Sequence, residues 1–396
     1  MIALFLAPLY ILINIYVVHW TLLWMSACSH FFQNPVFQAV FLSLYTLFST
    51  SLLTGFLIKK PRFLHRFLKN AANYFLGTFM YIILVVSIMD LGRILLDYTL
   101  HPAWLHTRTA FIVSGSLGIL LVMLLSINGI IHSWTLKLTP YDITINKQVP
   151  GTDSLKVVLL ADIHFGYSTG RIHAARLVRK INQLDADLIC IAGDIFDNDF
   201  DSINKPDEVA LLMRRMKSKY GVYACWGNHD VNEPVLAGFT FRGSKEDSDD
   251  CRMGAFLKDA HIRLLNDETI LIDDKFYLAG RKDFYRAQEI ENGRMSPAQL
   301  TAKLDRSRPV IVMDHQPKEL QALADAGVDL DLCGHTHNGQ MFPGNLTIHL
   351  FWENAWGYLR KDNMHNIVTS GAGIWGPNMR IGTDNEICVI TVHFAS

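Results

Sequence analysis

Four long apolar runs in the first third of the chain set the strongest limit on its fold. The runs cover residues 2–25, 36–58, 71–96 and 110–133, and a helix needs roughly 20 apolar residues to cross a bilayer. The first run has neither a basic leading segment nor a small-residue cleavage site, so we expect a retained span and not a removable signal peptide. The sequence therefore predicts a transmembrane domain of four helices over residues 1–134.

The charged residues are divided unevenly along the chain. Residues 1–134 hold seven Lys and Arg and two carboxylates, whereas residues 135–396 hold 29 basic and 35 acidic residues, a net charge of −6. Five of the seven basic residues lie between the second and third runs, at Lys59, Lys60, Arg62, Arg66 and Lys69. Because basic loops stay in the cytoplasm, we expect a multi-pass membrane protein with its large C-terminal domain on the cytoplasmic side. The net acidic charge gives no bulk attraction for nucleic acid, and the oligomeric state stays open.

The pattern changes after a polar connector over residues 135–154, which contains Pro140 and Pro150. Short apolar strands are predicted at 155–161, 187–193, 221–226, 309–313, 328–333 and 386–393. Amphipathic helices are predicted between them at 172–184, 207–218, 297–306 and 318–326. Continuous apolar strands are typical of a sheet covered on both faces, so residues 155–396 are predicted to form a layered α/β domain.

Residues with oxygen or nitrogen donors follow five of the predicted strands. They form Asp-Ile-His at 162–164, Gly-Asp at 193–194, Gly-Asn-His-Asp at 227–230, His315, and Gly-His-Thr-His at 334–337. The carboxyl ends of strands line the ligand crevice of an open α/β sheet, and alternate residues of a strand share a face. Carboxylate and imidazole donors without thiolates favour Mn²⁺, Fe or Zn²⁺. So many donors exceed the needs of one ion, which predicts two divalent metals bridged by one carboxylate.

This ordered set of motifs resembles the calcineurin-like metallophosphoesterase family, and the resemblance covers residues 155–396. The stretches 334–340 and 370–382 are similar to a bacterial branch in which a membrane segment precedes the enzyme, which implies that the spans lie in a bacterial inner membrane. The resemblance implies a four-layer α/β/β/α sandwich. It also implies metal-dependent hydrolysis of a phosphoric ester.

The resemblance further implies a role for each motif residue. The implied ligands of one metal are Asp162, His164 and His337. Those of the second metal are Asn228, His315 and His335, and Asp194 bridges the two metals. His229 contacts the phosphoryl group and protonates the leaving oxygen, with Asp197 or Asp230 as its partner carboxylate. The implied nucleophile is a metal-bound hydroxide, because coordination lowers the pKa of water.

Two functions stay open at this point. The first is a membrane-anchored phosphodiesterase or pyrophosphatase, for which four spans favour an amphiphilic substrate such as UDP-2,3-diacylglucosamine. The alternative is a membrane sensor or transport module with Asp90, Arg93 and Asp97 as its polar group, regulated by a phosphoesterase domain that acts on soluble nucleotides. Arg281 and Arg380 either orient a phosphate, since arginine forks suit such anions, or form surface ion pairs.

Overall fold

The chain has two compact units that differ in their chemistry. The computed structural model describes residues 2–233, 235–236, 239–240, 250–288 and 293–395. One unit is built from apolar helices and the other from alternating strands and helices. Their ranges are Met1–Ile130 with Gly376–Met379, and Ile131–Trp375 with Arg380–Ser396.

Four helices of the described chain are long and apolar enough to cross a membrane, as predicted. They are α1 (Ile2–Cys28), α2 (Pro35–Leu57), α3 (Arg62–Leu100) and α4 (Arg108–Ser133). The third helix is longer than the predicted span 71–96, because the basic residues Arg62, Arg66 and Lys69 begin the helix and do not lie in a loop.

Close contacts join the apolar helices to one another. A Cβ added at Gly115 of α4 would lie 2.3 Å from the Trp24 ring of α1, so a small residue is needed there. Such small residues let apolar helices approach closely. Close packing matters in a membrane because the hydrophobic effect does not drive helices together in lipid. At the end of α1, the carbonyl of Ala27 accepts hydrogen bonds from the Arg108 guanidinium at 2.6 and 2.8 Å.

The carboxylates of the helical unit have partners within it. Asp90 accepts a hydrogen bond from the Tyr16 hydroxyl. Asp97 lies 2.9 Å from Nε2 of His106. Two of the three residues on which the sensor or transport alternative depends, Asp90 and Asp97, therefore contact α1 and the segment between α3 and α4.

The second unit contains the remaining described elements. Its strands are β1 (Leu136–Ile145), β2 (Ser154–Leu160), β3 (Leu188–Ala192), β4 (Val222–Cys225), β5 (Val235–Leu236), β6 (Phe239–Thr240), β7 (Arg263–Leu264), β8 (Glu268–Ile272), β9 (Phe276–Gly280), β10 (Val310–Met313), β11 (Leu330–Cys333), β12 (Gly357–Lys361), β13 (Met364–Val368) and β14 (Asn385–Phe394). Its helices are α5 (Arg171–Ile181), α6 (Pro206–Met213), α7 (Cys251–Asp259), α8 (Phe284–Ala287), α9 (Pro297–Thr301), α10 (Leu320–Asp325) and α11 (Gly344–Thr347).

These strands form two six-stranded mixed sheets and a short hairpin of β5 and β6. The first sheet has the order β1-β14-β2-β3-β4-β7, and the second has the order β12-β13-β11-β10-β9-β8. Within them, β2, β3 and β4 run parallel to one another, as do β9, β10, β11 and β13. Parallel neighbours place their carboxyl ends along one edge of each sheet.

The apolar side chains of this unit occupy three layers. One layer, which includes Leu278, lies between the two sheets. A second packs α5 and α7 on the first sheet through Leu177 and Phe256. A third packs α9 and α10 on the second sheet through Leu300 and Leu323. The four-layer α/β/β/α sandwich is therefore confirmed.

The polar stretch expected to be a connector contains a strand, β1. It pairs in parallel with β14 alone and so lies at the sheet edge, with Pro140 opposite Val389. Proline lacks an N–H and is tolerated in an edge strand, so its presence at 140 did not prevent pairing. The boundaries 1–134, 135–154 and 155–396 remain a prediction.

We predict that Leu278→Ala destabilises the second unit by about 2–5 kcal/mol, because it leaves a cavity between the sheets. Leu271 on the neighbouring strand is 42% exposed and Leu278 is completely buried, so Leu271→Ala is the matched control. The measurement is the urea dependence of alkylation of the buried thiols Cys190 and Cys225 in the full-length protein. Equal urea midpoints for the two variants would contradict this placement of the core.

Candidate metal centre

Five turns bring the predicted donor residues to one region of the sandwich. The turns after β2, β3 and β4 belong to the first sheet, and those after β10 and β11 belong to the second. Backbone hydrogen bonds join them, from Asp162 N–H to the Gly193 carbonyl at 3.0 Å and from Gly334 N–H to the His315 carbonyl at 3.0 Å. The turns carry Asp162, His164, Asp194, Asn228, His229, His315, His335 and His337.

One group of potential ligand atoms comes from Asp162, His164 and His337. The ligand atoms of all three lie within 4.8 Å of one another. Nε2 of His337 is 3.1 Å from Nε2 of His164 and 3.6 Å from Oδ1 of Asp162. All three side chains are buried, so these atoms face one another in a space that bulk water does not fill.

A second group comes from Asp194, His315 and His335, whose ligand atoms again lie within 4.8 Å of one another. Nε2 of His315 is 3.1 Å from Oδ2 of Asp194 and 3.2 Å from Nδ1 of His335. The amide oxygen of Asn228 is also 3.1 Å from this His315 nitrogen. Nδ1 of His315 faces the Ala192 carbonyl at 2.8 Å, which orients the ring.

Asp194 lies between the two groups. Its Oδ2 atom is 3.8 Å from Nε2 of His164 in the first group and 3.1 Å from Nε2 of His315 in the second. The other carboxylate oxygen accepts a hydrogen bond of 2.7 Å from the backbone N–H of His229. One carboxylate is therefore within reach of both groups.

The donor chemistry of these two groups fits divalent metals. Carboxylate oxygens, imidazole nitrogens and one amide oxygen converge without a thiolate, which suits Mn²⁺, Fe or Zn²⁺. In each group two imidazole nitrogens face each other, at 3.1 Å for His164 and His337 and at 3.2 Å for His315 and His335. Facing lone pairs of this kind are held together by a shared proton or a cation.

Burial and neighbouring charges set the ionisation of these groups. Burial raises the pKa of Asp162 to about 6 and lowers the pKa of His337 and His335 far below the ordinary histidine value. Burial also opposes ionisation of Asp194, but the charges of His315, His229 and His164 and a hydrogen bond from His315 together outweigh burial and hold the pKa of Asp194 well below the usual range. Burial opposes protonation of His164 and His315, but neighbouring carboxylates raise the pKa of both, so these two imidazoles would lose a proton on binding a metal.

Two glycines allow the carboxylates to enter the centre. A Cβ added at Gly227 would lie 2.2 Å from Oδ1 of Asp194, and one added at Gly334 would lie 2.4 Å from Oδ2 of Asp162. The backbone at Asp162, Asp194 and His335 is left-handed, with φ of 52°, 51° and 73°. Such strained backbone in non-glycine residues gathers at functional sites, where the surrounding structure must hold it.

His229 has a different partner from the one expected. Its Nδ1 contacts the amide oxygen of Asn198, so neither Asp197 nor Asp230 is its hydrogen-bond partner. Both oxygens of Asp230 are occupied by backbone N–H groups, from Phe196 at 2.8 Å and Gly227 at 2.7 Å.

Asp197 instead lies against one of the predicted metal ligands. Its Oδ1 is 3.4 Å from Nδ1 of His164, and ligand atoms of Asp197, His164 and His229 lie within 4.8 Å of one another. Asn198 was missed because an amide in a loop carries no signal in a single sequence.

The two arginines considered from the sequence are buried and not at the surface. Arg380 donates to the carbonyls of Ser370 at 2.6 Å and Gly373 at 2.8 Å, and its Nη2 is 3.2 Å from Nδ1 of His337. Arg281 is fully buried and pairs with Asp314 at 2.7 Å. The expected alternative of surface ion pairs is therefore wrong for both arginines, and their role in orienting a phosphate stays a prediction.

Residues 155–339 match the family model described as calcineurin-like phosphoesterase. An uncharacterised metallophosphoesterase of Helicobacter pylori is 30% identical over 241 residues, which are 60% of this chain and 59% of the relative. A Danio rerio protein named transmembrane protein with metallophosphoesterase domain is 29% identical over 297 residues, 71% of this chain and 64% of the relative. The chain thus spans about three fifths of the length of these relatives.

A third relative carries a more specific name. UDP-2,3-diacylglucosamine pyrophosphatase LpxG of Chlamydia trachomatis is 21% identical over 239 residues, which are 52% of this chain and 70% of the relative. The family model, these relatives and the ligand groups agree on the kind of domain. Residues 155–339 therefore belong to a domain that matches the calcineurin-like phosphoesterase family, and four apolar helices precede this domain in the sequence.

Proposed function

We propose that this protein is a membrane-anchored phosphoesterase that uses two divalent metals to hydrolyse a phosphodiester or pyrophosphate bond. The observation that carries the proposal is the position of Asp194, whose Oδ2 lies 3.8 Å from His164 and 3.1 Å from His315. A carboxylate within reach of two ligand groups is what a bridged pair of ions requires, and such a pair suits displacement at phosphorus.

The proposed ligands follow from the two groups. Asp162, His164 and His337 would hold one ion and Asn228, His315 and His335 the other, with Asp194 on both. Divalent cations bound there would lower the pKa of water and neutralise the phosphoryl oxygens. Mn²⁺, Fe and Zn²⁺ are the candidates that the donor chemistry supports.

His229 is proposed to act on the leaving group. Because the Asn198 oxygen can only accept, Nδ1 of His229 carries a proton, and Nε2 on the far side of the ring is directed away from Asn198. The imidazole lies beside the first ligand group, with its centroid 5.0 Å from that of His164. With its Nδ1–H donated to Asn198, this histidine acts as a general acid only when Nε2 carries a second proton, which burial opposes and the negative charge of a bound phosphate would favour.

An exposed apolar ridge supports an amphiphilic substrate. The ridge consists of Phe342, Leu346, Leu350 and Phe351, whose exposed fractions lie between 45% and 81%. It leads directly into Trp352, whose ring centroid is 5.1 Å from that of His335. Exposed apolar side chains next to a catalytic centre are suited to acyl chains. Together with the name of the Chlamydia trachomatis relative, they support a lipid-linked diphosphate such as UDP-2,3-diacylglucosamine.

The basic residues near the start of α3 support a cytoplasmic catalytic domain. Lys59 and Lys60 precede the helix, and Arg62, Arg66 and Lys69 occupy its first turns. If the four helices cross the inner membrane of a bacterium, retention of these charges in the cytoplasm puts the chain after α4 on the same side.

We predict that Asp194→Asn loses bound metal and at least about 100-fold in kcat, since even outer partners of metal ligands are worth 10–100-fold. The measurements are elemental analysis of the purified full-length protein and hydrolysis of bis(4-nitrophenyl) phosphate with Mn²⁺. His229→Ala should keep its metal and still lose activity, and Asp142→Asn, on exposed strand β1, is the matched control. A wild-type protein that binds no divalent metal would make the domain an inactive scaffold and end the proposal.

We predict that the double variant Leu350→Ser, Phe351→Ser raises KM for a diacylated nucleoside diphosphate sugar about tenfold or more, since each large apolar side chain contributes about 1.5–3 kcal/mol when buried. KM for the soluble substrate bis(4-nitrophenyl) phosphate is the reference. Ile172→Ser with Leu211→Ser, exposed apolar residues of α5 and α6, is the matched control. Equal changes for the amphiphilic and the soluble substrate would contradict a role of the ridge in binding acyl chains.

We predict that Cys251, an exposed thiol of the second unit, is protected from a membrane-impermeant maleimide in intact cells and labelled after lysis. A thiol placed between α1 and α2 by His30→Cys, in a Cys28→Ser background, should be labelled in intact cells. The reverse pattern would place the catalytic domain outside the cytoplasm.

A further inference from the structure

Lys318 lies in an aromatic cluster of the second unit. Its Nζ is 4.8 Å from the ring centroids of Phe284 and Tyr285 and 5.1 Å from that of Trp352. Aromatic faces attract a cation at such distances. Three rings around one ammonium group therefore restrict the positions that this flexible side chain can take.

The same rings connect Lys318 to the candidate metal centre. The centroid of Trp352 is 5.1 Å from that of His335, and the centroid of Tyr285 is 6.2 Å from it. Two rings thus contact both the Lys318 ammonium and the His335 imidazole. Lys318 itself is half-buried and Tyr285 is exposed, so a ligand can approach the ammonium from solvent.

The charge of Lys318 is not neutralised by the protein. Within the described part of the chain, its Nζ has no carboxylate and no hydrogen-bond partner, only the three rings. The adjacent carboxylate of Glu319 is already bound by Arg281, at 2.9 Å, and by Arg294. The Glu319 carboxylate therefore pairs with these two arginines and not with Lys318.

Two arginines near Lys318, unlike the lysine, have carboxylate partners. Arg286 pairs with Glu233 at 2.7 Å, and Arg281 pairs with Asp314 at 2.7 Å. Their positive charge is balanced by protein carboxylates. Among the described cations near the His335 imidazole, Lys318 has no carboxylate partner and stays available to an anion.

We propose that Lys318 is a specificity-determining residue that binds the second phosphate of a diphosphate diester, the phosphate that is not attacked. This inference rests on the proposed function, because the metals would neutralise the phosphoryl group that reacts. A second phosphate brings a further negative charge, which needs a cation outside the ligand groups. The lysine ammonium binds phosphate as a point charge, and the rings of Tyr285 and Trp352 place it next to His335.

The test compares two substrates of the full-length, metal-loaded protein in detergent. One is UDP-N-acetylglucosamine, a diphosphate diester, and the other is bis(4-nitrophenyl) phosphate, which has a single phosphate. The measured quantity is the kcat/KM for the diphosphate divided by the kcat/KM for the single phosphate. Lys318→Met should lower this ratio by about 10- to 100-fold, because one charge-assisted hydrogen bond contributes that much to binding. Lys318→Arg should recover part of the ratio. Lys303→Met, at an exposed lysine in the turn after α9, should leave the ratio unchanged.

A binding measurement separates this inference from the proposed function. Calorimetry with methylenediphosphonate, which cannot be hydrolysed, should show weaker binding by Lys318→Met than by the wild type and Lys303→Met, whether or not either substrate turns over. Equal losses of kcat/KM for both substrates, an unchanged ratio, or unchanged binding of methylenediphosphonate would each overturn the role of Lys318. Loss of hydrolysis by the wild type with retained, Lys318-dependent binding would instead refute the phosphoesterase proposal alone. Melting temperatures of the variants show that each is folded.

Discussion

The buried carboxylate of Asp194 is the group on which the arrangement of the centre depends. An ionised carboxylate inside a protein is unfavourable unless positive charge or hydrogen-bond donors surround it. The His229 N–H donates to one oxygen at 2.7 Å, and the His315 imidazole lies 3.1 Å from the other. His229 follows a strand of the first sheet and His315 a strand of the second. The Asp194 carboxylate therefore needs partners from both sheets, and its contacts connect the edges of the two sheets.

The backbone around the centre adopts conformations that direct the buried carboxylates into it. Left-handed conformations at Asp162 and Asp194 turn these side chains inward, and Gly227 and Gly334 leave room for their oxygens. Strained turns cost of order 1–3 kcal/mol each and persist where the surrounding packing determines them. The inter-sheet core below the turns supplies that packing. The stability of the sandwich and the geometry of its ligands are thus coupled through the strand ends.

The surroundings of His335 give the proposed substrate its order of chemical groups. The Trp352 ring lies near both the His335 imidazole and the Lys318 ammonium, and the exposed ridge from Phe342 to Phe351 directly precedes Trp352 in the chain. A molecule with a reacting phosphate, a second phosphate and an apolar tail matches this sequence of surfaces.

Local patterns in the sequence were enough for the features that depend on neighbouring residues. Apolar runs of membrane-spanning length predicted the four helices, and apolar strands followed by Asp, Asn or His predicted both the layered fold and the positions of the donors. The edge strand β1 was missed because Pro140 indicates a break, and only pairing with β14 shows that an edge strand tolerates it. The tertiary structure alone decided that Asn198 contacts His229, that Arg380 is buried, and that Lys318 meets Trp352. These contacts join residues that are far apart in the chain or on separate turns, and their energies depend on burial and distance, which no local sequence pattern records.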